Sequence, residues 1–159
     1  MAPMSTDHPS VVQVTDRLRE LGAQGEVLSL PTPARTAAQA AEQLGCEVGA
    51  IANSLIFDAQ GIPVLVMTSG AHRVDVNQIG GLLEANVTRA DADFVRTHTG
   101  MPIGGVAPVG HPKPIRTLVD VDLARFNPVW AAAGHPNTVF PTSYDELLRI
   151  TGGTAAEVG

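Results

Sequence analysis

The sequence predicts a single α+β domain with a mixed or antiparallel sheet. Helical and strand patterns interleave irregularly, without the strict alternation of a doubly wound parallel sheet. A hairpin pattern, IANSLIFDAQGIPVLVMTSG, sits between two helical patterns. The 159 residues, 44% hydrophobic and 16% charged, carry no internal repeat and no linker, so one core is expected.

Each element has a local reason. Residues 1–9 are polar and proline-bearing and read as a tail. Ser10 is placed to cap a helix whose apolar face is Val11, Val14, Leu18 and Leu21, with Gly22 as its stop. EVLSL alternates as a short strand, and PTPA breaks the chain. In TAAQAAEQLG, Thr36 and Gln39 form a capping-box pattern and Gly45 ends the helix. The hairpin follows, with strands at 53–58 and 63–68 around a turn at Ala59–Gly61. A helix starts near Asp75, VTRA is a brief strand, and DADFVRTHTG is a helix headed by Asp91 and closed by Gly100. MPIGGVAPVGHPKP is the loop densest in Gly and Pro. IRTLVD alternates as a strand, and NPVWAAAG and TVF form a last strand pair. Ser143 and Glu146 open the terminal helix as a second capping box. The domain is thus read as 10–153, with a second tail at 154–159.

Composition narrows the function. A net charge of −6 argues against a general nucleic-acid binder, which needs a basic face, and so against DNA. It still allows a grip on the end of a nucleic acid, where few contacts suffice. The single cysteine forms no internal disulfide and suits a reducing cytoplasm. The N-terminus lacks a signal-peptide pattern, and no apolar run approaches the roughly 18 residues of a membrane span.

The usual catalytic engines are missing. There is no G-x-S-x-G, no P-loop and no dinucleotide fingerprint. Cys46 at a helix end reads as structural. The five histidines form no metal-binding pair, although His111 and His135 lie in Gly/Pro loops of the kind that line sites. A loop-histidine metallohydrolase is therefore one open reading. GGVAP, Gly104 to Pro108, sets two residues without side chains side by side, so that backbone N–H groups can approach an oxyanion or phosphate. The alternative is a plain turn. Arg73 in GAHRVD either pairs with Asp75 or holds a phosphate. Asn53 and Ser54 either end a strand or point into a site.

Taken together, TAAQAAEQLG, IANSLIF, VLVMTSGAHRVD, TGMPIGGVAPVGH, RTLVDVDL and AAGHPNTVFPTSYDELLRITGG resemble, in that order, the YbaK/prolyl-tRNA synthetase-associated domain family. The likeness spans roughly residues 10–153. It implies a curved, mixed and largely antiparallel sheet or partial barrel flanked by helices. It also implies hydrolysis of the ester in mischarged aminoacyl-tRNA, in trans, removing a small wrong amino acid, with tRNA(Pro) as the expected carrier. The partner is then the acceptor end of aminoacyl-tRNA, the protein a monomer or homodimer, and no cofactor or metal is implied.

On this resemblance, Gly104, Gly105 and Val106 present backbone groups to the scissile carbonyl, and water or a group of the substrate attacks. Asn53 and Ser54 orient the terminal adenosine or the water. Thr36, Arg73, Pro108, His111, His135 and Asn137 are the candidate substrate contacts. One departure stands out: the family motif has a lysine where this chain has Asn53. Losing that charge weakens binding by about 1–3 kcal/mol, which motivates the alternative of a catalytically weakened aminoacyl-tRNA or nucleotide-binding module. Ile51, Leu55 and Ala132 are the expected apolar walls.

Overall fold

The computed structural model describes residues 8–159, and its elements follow the order that caps and turns dictate. They are α1 (Pro9–Glu20), β1 (Leu28–Ser29), α2 (Ala37–Leu44), β2 (Ile51–Ala59), β3 (Ile62–Ser69), α3 (Val76–Leu83) and β4 (Val87–Arg89). Then come α4 (Ala92–Thr99), β5 (Arg116–Asp120), β6 (Val129–Ala132), β7 (Thr138–Thr142), α5 (Tyr144–Thr151) and β8 (Thr154–Ala156). Among the described residues no helix is long and apolar enough to cross a membrane.

The strands form one open mixed sheet in the order β1-β7-β6-β2-β3-β5-β8, with β4 also against β2. Antiparallel pairing joins β1 to β7, β7 to β6, β2 to β3 and β2 to β4. Parallel pairing joins β6 to β2, β3 to β5 and β5 to β8. The predicted α+β class holds, and the hairpin is its centre. Gln60 and Gly61 both have positive φ, the conformation a two-residue hairpin turn demands, and Asp58 Oδ1 accepts the Gly61 N–H at 2.6 Å.

Helix starts follow the sequence where a side chain can reach back. Thr36, Asp75, Asp91 and Ser143 each accept a backbone N–H of the first turn. Four expectations are corrected. Ser10 does not cap α1: His8 does, with Pro9 in the first turn, and the buried Ser10 hydroxyl donates to the Gly134 carbonyl at 2.8 Å. Residues 8 and 9 therefore belong to the helix start, and the rest of the expected N-terminal tail lies outside the described residues. Residues 154–159, expected as a loose tail, instead carry β8, with Val158 fully buried and its carbonyl accepting the Asp75 N–H at 2.8 Å. EVLSL is also shorter than expected, with only Leu28 and Ser29 extended in a ladder.

Alternation along β2 splits the core. Ala52 and Ile56 join the main cluster, with Leu65, Met67, Phe140 and Leu147. Phe57 joins a second cluster with Ile79 of α3, and Ile51 a third with Ala40 and Ala41 of α2. Asn53 and Leu55 fall between those two smaller clusters, on the face that carries them. That interval is where the site lies.

Candidate active site

The β2–β3 hairpin and the segment joining α4 to β5 wall a divided depression. Its larger part measures about 510 Å³ and its smaller part about 190 Å³. Asn53, Ser54, Leu55, Ile103, Gly104 and Val106 line both, and so form the ridge where the two meet.

One side of the ridge is a glycine turn. Pro102 to Gly105 closes by a Gly105 N–H donated to the Pro102 carbonyl at 3.0 Å. Gly104, its third residue, has φ +87°, which favours glycine there. Among the described residues, nothing beyond its chain neighbours lies within 4 Å of where a Gly104 Cβ would stand. Gly105 is glycine for another reason: its Cβ would stand 2.8 Å from the Cα and carbonyl carbon of His135. Below the turn, Met101 N–H donates to Thr99 Oγ1 at 3.0 Å and Ala107 N–H points at Met101 Sδ at 3.3 Å. Val106 to Val109 are buried. Among the described residues, the N–H groups of Gly104 and Val106 donate no hydrogen bond, whereas that of Gly105 is used within the turn.

The other side is β2. Neighbouring residues of a strand point to opposite faces, so Asn53 and Ser54 cannot both turn side chains to one cleft. The Ser54 hydroxyl donates to Met67 Sδ at 3.1 Å, toward the main core. Asn53 is half-buried on the outer face, beside Thr68 in the β2–β3 register.

The larger cleft is lined mainly by apolar residues, with a few polar groups and two arginines among them. Thr68, His72, Arg73 and Arg89 line it. Fully buried Asp120 accepts from Ser69 N–H at 3.0 Å, and its Oδ2 lies 3.0 Å from His72 Nδ1. The other ring nitrogen, Nε2, is 2.7 Å from Asp122. His72 is thus clamped between two carboxylates, which fixes the loop that carries Arg73. Arg73 and Arg89 are exposed, and among the described residues neither joins an ion pair. The anticipated Arg73–Asp75 pair is therefore not formed. The smaller cleft is walled largely by apolar residues, Ala34, Ile51, Trp130, Ala132 and Val139, with Arg35 and Thr36 also in its lining.

Of the residues picked from sequence, Asn53, Ser54, Gly104 and Val106 come together at the ridge, Arg73 lies in the larger cleft and Thr36 in the smaller. Ile51, Leu55 and Ala132 all line the smaller cleft. Gly105, Pro108, His111, His135 and Asn137 line neither. His111 sits behind the loop, where its Nε2 donates to the Ala107 carbonyl at 2.7 Å. Burial lowers its pKa below the ordinary value, and that hydrogen bond offsets the effect in part. His135 is bonded to Asn137 Oδ1, and its backbone braces Gly105. Burial raises the Cys46 thiol pKa, as suits a structural cysteine. Among the described residues no three His, Cys, Asp or Glu side chains gather as a metal site requires.

Sequence reasoning missed Thr68, His72, Arg89 and Asp120. Their association spans up to 52 residues of chain, between Thr68 and Asp120, and no local motif marks it.

The chain matches the aminoacyl-tRNA editing domain family over residues 31–150. An uncharacterised Bacillus subtilis (strain 168) protein, YwhH, is 29% identical over 143 residues, covering 89% of this chain and 91% of YwhH. A solved structure described as that of a proposed trans-editing enzyme for prolyl-tRNA synthetase is 38% identical, with a TM-score of 0.89 over 94% of this chain and 96% of its own. The hypothetical protein APE2540 is 32% identical, with a TM-score of 0.86 over 92% and 98% of the two chains.

Proposed function

Because the chain belongs to the aminoacyl-tRNA editing domain family, we propose that it hydrolyses the ester of a mischarged aminoacyl-tRNA in trans. The observation that carries the reading is the ridge. A larger cleft with two arginines at its rim and a smaller cleft walled largely by apolar side chains meet at two backbone N–H groups, those of Gly104 and Val106, which donate no hydrogen bond among the described residues. The ester joins a nucleoside to an amino acid, so it needs two compartments with the reacting carbonyl between them. The larger cleft receives the terminal adenosine, and Arg73 and Arg89 face its phosphate. The smaller cleft receives the amino-acid side chain.

The chemistry asks little of side chains. An aminoacyl ester is already activated, so positioning and a preorganised oxyanion site supply most of the rate. The N–H groups of Gly104 and Val106 stabilise the negative charge that develops on the carbonyl oxygen. Water attacks, and the amide of Asn53 orients it or the ribose hydroxyl. Gly105, Pro108, His111, His135 and Asn137 act by holding the turn in place. A cleft of about 190 Å³ suits a small side chain such as that of alanine or cysteine, and tRNA(Pro) is the expected carrier. The reaction then takes place in the cytoplasm, where the charged tRNA is.

A second reading rests on Asn53, which stands where the resembled family has a lysine. It keeps the clefts and the binding and gives up turnover. One time course separates the two. The protein and its Asn53→Lys variant are incubated with tRNA(Pro) charged with alanine, cysteine, serine or proline. Loss of one non-cognate ester, with prolyl-tRNA spared, supports the deacylase. Activity in Asn53→Lys alone supports the binding module. Inactivity of both on every ester, with no affinity for an aminoacyl-adenosine, overturns both readings.

A further inference from the structure

The ladder around β2 has a break. On its β3 side β2 is paired from Ala52 to Ala59. On its other side β6 pairs only Ile51 and Ala52, and β4 pairs only Phe57 to Ala59. Among the described residues, 53–56 therefore have a strand neighbour on one side only, in the interior of the sheet. The glycine turn, which lies across the ridge from this interval, donates no backbone hydrogen bond to it.

Which groups face the break follows from alternation. In an antiparallel pair, a residue that bonds its partner turns its N–H and C=O toward that strand, and the next residue turns both away. Gly70 N–H donates to the Ile51 carbonyl at 2.7 Å. That sets Ile51, and with it Asn53, Leu55 and Phe57, toward β3. Ser54 and Ile56 face the break. Ala90, which would lie opposite Ile56 if β4 ran on, is outside the strand. The Ser54 carbonyl and the Ile56 N–H thus stand next to each other on one edge, an acceptor and a donor in the spacing that a peptide unit of a missing strand would fill.

We propose that this carbonyl and amide read the edge of the terminal adenine. The proposal rests on the aminoacyl-tRNA reading and assigns the groups that recognise its base. Adenine carries an exocyclic amine beside a ring nitrogen, a donor next to an acceptor. The amine donates to the Ser54 carbonyl, and ring nitrogen N1 accepts from the Ile56 N–H. Ser54 and Ile56 both line the larger cleft, whose volume of about 510 Å³ accommodates a nucleoside. Arg73 and Arg89 line the same cleft, so a base on the β2 edge keeps its phosphate within their reach. Because backbone atoms do the reading, no side-chain motif announces it.

The test uses two non-hydrolysable ligands, 3′-alanylamino-3′-deoxyadenosine and its inosine counterpart. Hypoxanthine reverses the pattern, placing an acceptor on the Ser54 carbonyl and a donor on the Ile56 amide. Affinity is measured by calorimetry, and the Ile56 amide is followed by NMR in labelled protein. The expected result is binding of the adenosine ligand at least about tenfold tighter than the inosine one, since two buried polar groups are left unpaired in the latter. The Ile56 amide proton shifts downfield with adenosine only. Equal affinities, or an unmoved Ile56 amide, overturn the base-edge assignment and leave the deacylase reading standing. Binding of neither ligand overturns the assignment, and if ester hydrolysis is also absent it overturns the deacylase reading with it.

Discussion

The two adjacent glycines of the turn make opposite demands, and substitution separates them. At Gly104 the constraint is backbone conformation: φ is +87°, and among the described residues no atom beyond its chain neighbours lies within 4 Å of where a Cβ would stand. Alanine there costs about 1–2 kcal/mol of conformational strain, and asparagine, which tolerates positive φ, costs less. At Gly105 the constraint is space. A Cβ would stand 2.8 Å from the Cα and carbonyl carbon of His135 and 3.0 Å from its nitrogen, where ordinary contact begins at 3.4 Å. All three are backbone atoms and cannot rotate away. Alanine there costs about 1–3 kcal/mol by overpacking, and a larger residue costs more. At roughly 2–4 °C per kcal/mol for a chain of this size, Gly105→Ala lowers Tm by several degrees. Urea unfolding should rank stability as Gly, Asn, Ala at position 104 and as Gly, Ala, Asn at position 105. On the proposed reading, deacylation should fall in both Gly104 variants even where they are folded, because the strained turn no longer holds the Gly104 and Val106 N–H groups in place. A Gly105→Ala protein that melts with the wild type, or Asn matching Ala at 105, would refute the reasoning.

Four further outcomes are expected. The folded-state pKa of His111 is depressed, so its contribution to stability is complete above its usual pKa of about 6.5 and is lost as pH falls through the folded value; His111→Gln flattens that decline in urea titrations between about pH 7.5 and about pH 5. Arg73→Ala and Arg89→Ala leave stability within about 0.5 kcal/mol and each lower the salt slope of tRNA binding by about one, read by filter binding at several salt concentrations. Asp120→Ala leaves the Ser69 and Asp122 N–H groups without their acceptor and frees one side of His72, and it destabilises by about 1–3 kcal/mol in urea unfolding. Truncation after Gly153 removes β8 and fully buried Val158; the Val158 burial alone is worth about 1.5–3 kcal/mol, so Tm falls clearly.

Local chemistry was legible and distant pairing was not. Thr36, Asp91 and Ser143 announce their helices because a cap acts within three residues. The hairpin was readable because its register is set by its own turn. Ser10 misled because Pro9 beside it fits the first turn, which moves the cap back to His8. β8 was missed because TAA has no strand signature of its own and becomes a strand by lying against β5. At the site, the Gly104–Gly105 pair and Asn53 stood out as residues unusual for their surroundings. His72 with Asp120, Arg89, and the break beside β2 did not, since each depends on where another segment ends.

The contact between Gly105 and His135 has a wider consequence. It joins two loops that approach from different parts of the chain, and those loops contribute Gly104, Val106 and Pro136 to the smaller cleft. Main chain set against main chain makes an unyielding joint, unlike side chains that can change rotamer. On the proposed reading, that joint fixes where the Gly104 turn stands against the side-chain walls of the smaller cleft, Ala34, Ile51, Trp130, Ala132 and Val139, and those walls then set the size of amino acid admitted.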